Sequence, residues 1–227
     1  MGLDHSPIVV TDGLSLYTDA VNTRSYSGSG TSVNGLVSGI GFTLVNGVGF
    51  GTTSTKYFIL DGTNDNITFY VPNPGTTLTI ELWVRVKSFV SNGMIFGFSL
   101  YDVWTQNGAM GFNTASSDQY GISSTQVTNL GLLNQWKHYV FEMRSDVSYT
   151  NNKIYINSQN QSLSQVAGSE GSSNRNFNNG SGRISSWLND NNYNIPMDLG
   201  QFKIYNRALS AAEIVQNYNA TKRRYGL

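Results

Sequence analysis

"LTIELWVRVK", residues 78 to 87, decides the fold class. Leu78, Ile80, Leu82, Val84 and Val86 alternate with Thr79, Glu81, Trp83, Arg85 and Lys87. Successive side chains of a strand point to opposite faces, so this period of two predicts a β-strand with its aliphatic set on a core. Outward from it, "YFILDGTNDNITFYV" (57 to 71) reads as two strand pieces flanking an Asp/Gly/Asn turn, with Gly62 free to take a positive φ. Further strands are predicted in "MIFGFSLY" (94 to 101), "WKHYVFEM" (136 to 143), "KIYIN" (153 to 157), "RISSW" (183 to 187) and "LGQFKIYN" (199 to 206). Seven or more short strands separated by turn residues imply an all-β sandwich or barrel rather than a parallel sheet. Residues 166 to 182 and 188 to 198, poor in apolar residues or rich in Asn, are expected as surface loops of the same sheet system.

Composition agrees with one domain of this class. Its 227 residues suit a single sandwich, and charged residues form only 12% of the chain against about 25% in an average soluble domain. Fourteen basic residues balance fourteen acidic ones, leaving no net positive field to attract nucleic acid or an anionic membrane. Without cysteine the chain has no disulfide, no thiolate metal site and no cysteine nucleophile. No signal peptide and no membrane-inserted segment are expected from the N-terminus or from any apolar run.

One helix is signalled near the C-terminus. Ser210 followed by Glu213 forms a capping box, so the helix is predicted to begin at Ala211. Leu209 and Ile214 are spaced as a hydrophobic staple, and Ile214, Val215 and Tyr218 are expected to form its apolar stripe.

The order "YFILDGTNDNI", "LTIELWVRV", "MIFGF", "NQWKHYVF", "KIYINSQ", "FKIYNRALSAAEI" resembles the laminin-G-like branch of the concanavalin A-like lectin/glucanase fold over residues 12 to 218. The resemblance implies a jelly roll of two antiparallel sheets closed by the last strand and the short C-terminal helix. Residues 6 to 33 and the tail "QNYNATKRRYGL" are similar to the ends of laminin-G-like virion proteins of tailed bacteriophages, especially large myoviruses of marine bacteria. This implies a non-enzymatic structural protein on the particle surface, as capsid decoration or head fibre, homo-oligomeric there and in contact with capsid or other virion proteins. The alternative is a glycan-binding adhesin module of a tail or fibre that recognises host surface glycans. Residues 1 to 11 and 219 to 227 are expected as an N-terminal arm and a C-terminal tail that dock on capsid or on sister subunits, set against the ordinary behaviour of a chain end as a solvated extension.

Retaining glycosidases need two carboxylates about 5–5.5 Å apart, and relatives of this fold place them at alternate positions of one strand. Glu81 and Glu142 each lack an acid two residues away, so no catalytic residue is expected. His138, four residues from Glu142, and His5, in the arm, read as structural or surface residues. Sugar recognition needs an exposed aromatic platform with amides and carboxylates at its rim. Trp104 with Asp102, Gln106 and Asn107, and Trp187 with Asn189 and Tyr193, are candidates on loops, whereas Trp83 and Trp136 read as strand residues. No cofactor is required. Asp61, Asn64 and Asp65 in one loop and Asp190 with its Asn neighbours in another are oxygen-rich candidates for calcium, set against the ordinary use of Asp and Asn to close turns.

Overall fold

In the computed structural model, residues 7–113, 118–169 and 175–227 are described. Strands run in the order β1 (Leu14–Asp19), β2 (Ser32–Val33), β3 (Phe42–Val45), β4 (Gly49–Gly51), β5 (Tyr57–Leu60), β6 (Asn66–Tyr70), β7 (Thr77–Val86), β8 (Gly93–Gly97) and β9 (Asp102–Gln106). They continue as β10 (Ala109–Asn113), β11 (Gln119–Ile122), β12 (Lys137–Arg144), β13 (Lys153–Ile156), β14 (Gln159–Asn160), β15 (Ser164–Ala167), β16 (Ser181–Ile184) and β17 (Met197–Tyr205). A short helix α1 (Ser124–Asn129) follows β11, and α2 (Ala211–Thr221) follows β17.

The strands form two antiparallel sheets, the jelly-roll sandwich expected. One sheet of eight has the order β14-β13-β12-β7-β17-β5-β4 with β1 pairing on β17, and one of nine has the order β15-β11-β10-β9-β8-β16-β6-β3-β2. The aliphatic set of β7 is fully buried between them, with Ile80 opposite both Phe141 of β12 and Ile204 of β17. Aromatic rings lock sheet to sheet: Phe202 lies 5.3 Å from Phe42 and 5.2 Å from Phe69, and Phe141 lies 5.4 Å from Phe96. The Phe202–Phe42 and Phe141–Phe96 pairs are edge-to-face, a geometry that adds stability beyond the area buried.

The two strand pieces at 57 to 71 exist, but they do not pair. β5 joins the eight-stranded sheet and β6 the nine-stranded one, so the turn at 61 to 65 carries the chain from one sheet to the other. Gly62 has φ +81°, and a side chain there would run into Pro196.

The outer face of the eight-stranded sheet is covered by the two ends of the chain. Helix α2 begins at Ala211 with the predicted capping box, Ser210 Oγ accepting from the Glu213 N–H and the Glu213 carboxylate accepting from the Ser210 N–H. Leu209 and Ile214 are buried together, as a staple requires, but Val215 is exposed and Asn217 takes its place on the buried face. The reason is polar: Asn217 Nδ2 donates to Glu81 Oε2 (2.6 Å) and to the Tyr205 hydroxyl (2.9 Å), while its Oδ1 accepts from the Val10 N–H (2.8 Å). Val10 is therefore held against α2, the Ile8 carbonyl accepts from Gln216 Nε2 (2.7 Å), and the Tyr205 hydroxyl donates to the Val10 carbonyl from the other side (3.1 Å). The first six residues, including His5, lie outside the described residues.

The C-terminal residues beyond 218 pack on the same face. The helix runs through 219 to Thr221 and continues as a 3-10 turn at Lys222–Tyr225. Tyr225 is buried, stacked on Trp83 at 4.2 Å and 11°, and Trp83 Nε1 donates to Thr221 Oγ1 (2.7 Å). Arg224 meets Asp19 at 2.6 Å. A side chain at Gly200 would collide with the Tyr225 ring, so that glycine makes room for the closure. The outward face of β7 carries a tryptophan and a glutamate that need cover, and the C-terminal segment supplies it.

Candidate functional site

The polar set buried beneath α2 is the first place where chemistry gathers. Lys203 Nζ donates to Glu81 Oε1 (2.5 Å) and to Gln201 Oε1 (3.3 Å). His138 Nε2 lies 3.1 Å from the same Glu81 oxygen but out of line for a hydrogen bond. Burial alone would raise the Glu81 carboxyl, but the charges of Lys203 and then His138 outweigh it and hold the group at about 2. His138 is therefore matched with Glu81, not with Glu142, which instead meets Lys153 at 3.1 Å. All three of Glu81, His138 and Lys203 are fully buried, so the set closes the sandwich and offers no path to a substrate.

The opposite outer face, on the nine-stranded sheet, gathers the sugar-site candidates. Trp104 and Asp102 are not on a loop. They lie in β9 and are buried, with their neighbours Met94 and Gly97 on β8 and Gly111 and Asn113 on β10. The hairpin from β9 to β10 turns on Asn107 (φ +51°) and Gly108 (φ +80°), two positive φ values in succession as a two-residue hairpin turn requires. Asn107 thus has a structural task at the rim of this face.

Trp187, Asn189 and Tyr193 come from the loop between β16 and β17 and fold onto the same face. Trp187 Nε1 donates to the Ser99 carbonyl (3.1 Å), and Asn189 Nδ2 to Ser99 Oγ (2.9 Å). Tyr193, with φ +70°, stands edge-on to both tryptophans, 6.2 Å from Trp104 and 6.1 Å from Trp187. Two patches that the sequence separates by some eighty positions thus become one aromatic row, Trp104–Tyr193–Trp187, in which Trp187 and Tyr193 are half-exposed.

Beside this row the face holds Gln119, missed in the sequence because β11 carries no strong alternation. Gln119 Nε2 reaches across β10, where Gly111 has no side chain, to the Trp104 carbonyl (2.6 Å). Burial, and then the neighbouring Asp118 carboxylate, push the Asp102 carboxyl well above the usual range and favour its protonated form.

The calcium candidates are engaged in turns. Asp61 Oδ1 accepts from the Thr63 N–H (2.7 Å), Asp65 Oδ2 accepts from the Asp61 N–H (3.2 Å), and both oxygens of Asp190 accept from Asn192 Nδ2. Asn64 contributes its carbonyl to Asn46 Nδ2 (3.0 Å). Backbone N–H groups, led by that of Thr63, hold Asp61 below the usual carboxylate range, while burial raises Asp65. Among the described residues no group of three or more acidic or histidine side chains converges to hold a metal ion.

With two antiparallel sheets and this closing helix in place, the family can be read. The model of the concanavalin A-like lectin/glucanases superfamily named Laminin_G_3 matches residues 61–215. The chain belongs to this superfamily. Among solved structures, this superfamily member is similar to the Trypanosoma rangeli sialidase in complex with the inhibitor DANA, with a TM-score of 0.64 and 14% identity over 95% of this chain and 34% of that one. It is also similar to the receptor binding domain of botulinum neurotoxin C/D mosaic serotype (TM-score 0.61, 13% identity, 91% of this chain and 51% of that one). The binding domain of Paraclostridial Mosquitocidal Protein 1 is a third (TM-score 0.61, 17% identity, 92% and 52%). The chain spans about half the length of the toxin domains and about a third of the sialidase, and at these identities the likeness is one of fold. No curated protein sequence matches it.

Proposed function

We propose that this chain is a non-enzymatic, lectin-like recognition module that binds glycans on the outer face of its nine-stranded sheet. The observation that carries the reading is the row Trp104–Tyr193–Trp187, with amides and a carboxyl group beside it. A pyranose offers an apolar C–H face and a polar edge, which such a row with Asn189 and Asn107 at its margins can match. Receptor-binding domains among the neighbours of the fold support a binding role. An absence of catalysis is supported by Glu81 and His138 being sealed under α2. A glycan array probed with the wild-type protein and with Trp187→Ala tests the reading. Binding that falls about tenfold or more in the variant supports it, since each factor of ten is about 1.4 kcal/mol of lost contact. Binding unchanged by Trp187→Ala would move the site elsewhere.

The setting we infer is the surface of a tailed-phage particle, where the module serves as capsid decoration or head fibre and contacts virion proteins. It rests on the resemblance, read from the sequence alone, of residues 6 to 33 and the C-terminal stretch to phage virion proteins. Ile8 and Val10 meet α2 on the face opposite the aromatic row, an arrangement that leaves the row free to point away from an attachment made there. Antibody labelling of intact particles tests this: label on the head supports decoration, label on the tail supports an adhesin, and unlabelled particles would refute both.

A further inference from the structure

The face that carries the aromatic row also contains polar atoms with nothing to bind. Among the described residues, Trp104 Nε1, Gln119 Oε1, Gln106 Oε1 and Asp102 Oδ1 are all buried without a hydrogen-bond partner. Buried polar groups are paired in the great majority of cases, and an orphan costs free energy that a ligand can recover. These four are not scattered. Asp102, Trp104 and Gln106 occupy alternate positions of β9 and so line one face over about 13 Å, with Gln119 beside them across Gly111. Opposite Trp104, Gly111 pairs with Gly121, so two adjacent strands present no side chain there. At the Gln106 end the row opens into a cavity of about 220 Å³, with Gln106, Asn107 and Ala109 on one side and Ser123, Ser124 and Val166 on the other.

We propose that Gln106, Trp104 and Gln119 form a hydrogen-bonding subsite, entered from this cavity, that takes an uncharged, hydroxyl- and amide-bearing sugar unit. The proposal rests on the glycan-binding reading above and names its ligand class. One orphan is a donor, the indole N–H, and two are amide acceptors, which suits groups that both accept and donate, such as hydroxyls and acetamides. Asp118 lies beside Asp102 at the far end of the row, so an anionic sugar brings its charge toward the buried Asp118 carboxylate and a neutral one does not. Half-buried Gln106 stands between the cavity and Trp104 and is the side chain that shifts to admit the ligand.

The test is an array carrying neutral, sialylated and unacetylated amino-sugar glycans, followed by titration calorimetry of the tightest-binding saccharide with wild type, Gln106→Leu, Trp104→Phe and Trp187→Ala. In parallel, the Trp104 indole N–H resonance, assigned from its loss in Trp104→Phe, is followed in the wild-type protein. The expected result is a neutral ligand, a shifted Trp104 indole signal, and affinity about fivefold to tenfold lower in Gln106→Leu and Trp104→Phe, the loss of one hydrogen bond each. A sialylated or amino-sugar ligand overturns the uncharged class. A neutral ligand lost in Trp187→Ala, but leaving the Trp104 signal and the Gln106→Leu affinity unchanged, overturns the subsite while leaving the glycan-binding reading intact. No binding to any glycan overturns both.

Discussion

Deleting residues 222 to 227 removes only a short, basic stretch of the sequence, yet the structure makes it costly. Tyr225 stacks on Trp83, lies 4.9 Å from Trp136 and is almost fully buried. A ring of this size buries about 150–250 Å², so at about 25 cal/mol per Å² the transfer loss has an upper bound of about 4–6 kcal/mol. Large-to-small changes at aromatic core positions cost about 3–5 kcal/mol, and we take that as the expected loss. The deletion also takes Arg224 from Asp19, whose buried carboxylate then keeps only uncharged donors, the Tyr17 hydroxyl, Gln201 Nε2 and the Val21 N–H. For a domain of this size each kcal/mol is about 2–4 °C in melting temperature, so the truncated protein should melt roughly 10 °C lower. Thermal unfolding followed by near-ultraviolet circular dichroism measures this, with Tyr225→Ala as the single-residue control. A truncated protein that melts with wild type would refute the argument that the C-terminal turn belongs to the fold and return it to the role of a solvated tail.

Three other outcomes follow from the same face and its helix. Lys203→Met leaves Glu81 buried without its closest cation and should cost about 3–5 kcal/mol in urea unfolding, much of it recovered when Glu81→Gln is added. Glu81 titrates at about 2 when folded against an ordinary 4.5, so its contribution is complete above about pH 4.5 and is lost as pH falls toward 2. Melting temperature should therefore drop across that interval more steeply in wild type than in Glu81→Gln, and parallel curves would contradict the assignment. Ser210→Ala, which deletes the cap acceptor for the Glu213 N–H, should cost about 0.5–2 kcal/mol, and a cost near zero would mean that the Arg207–Glu213 pair alone holds the first turn.

What the sequence discloses is what lies in one local window. The alternation of β7 and the Ser210–Glu213 box each carry their own period or spacing, and both appear where predicted. The strand that holds Trp104 is hard to read because "YDVWTQNGAM" mixes polar and apolar residues, its outer face being partly covered by the β16–β17 loop. The Asn107–Gly108 pair near its centre is the strong hairpin signal in this stretch. The burial of Tyr225 has no local signal, since "TKRRYGL" is basic and the reason for its docking is the tryptophan on the far face of β7. The aromatic row was legible as residue types in two separate loops, but its assembly depends on the return of the β16–β17 loop across β8, a contact between distant positions that no period encodes.

We propose the outer face of the nine-stranded sheet as the recognition surface. Mapping backbone-amide chemical shifts of the protein with and without a saccharide selected on the array tests it most directly. The account predicts shifts concentrated at Trp104, Gln106, Gln119, Trp187 and Tyr193, with the face beneath α2 unmoved. Shifts confined to α2, the residues around Val10 or the turn at 61 to 65 would contradict it.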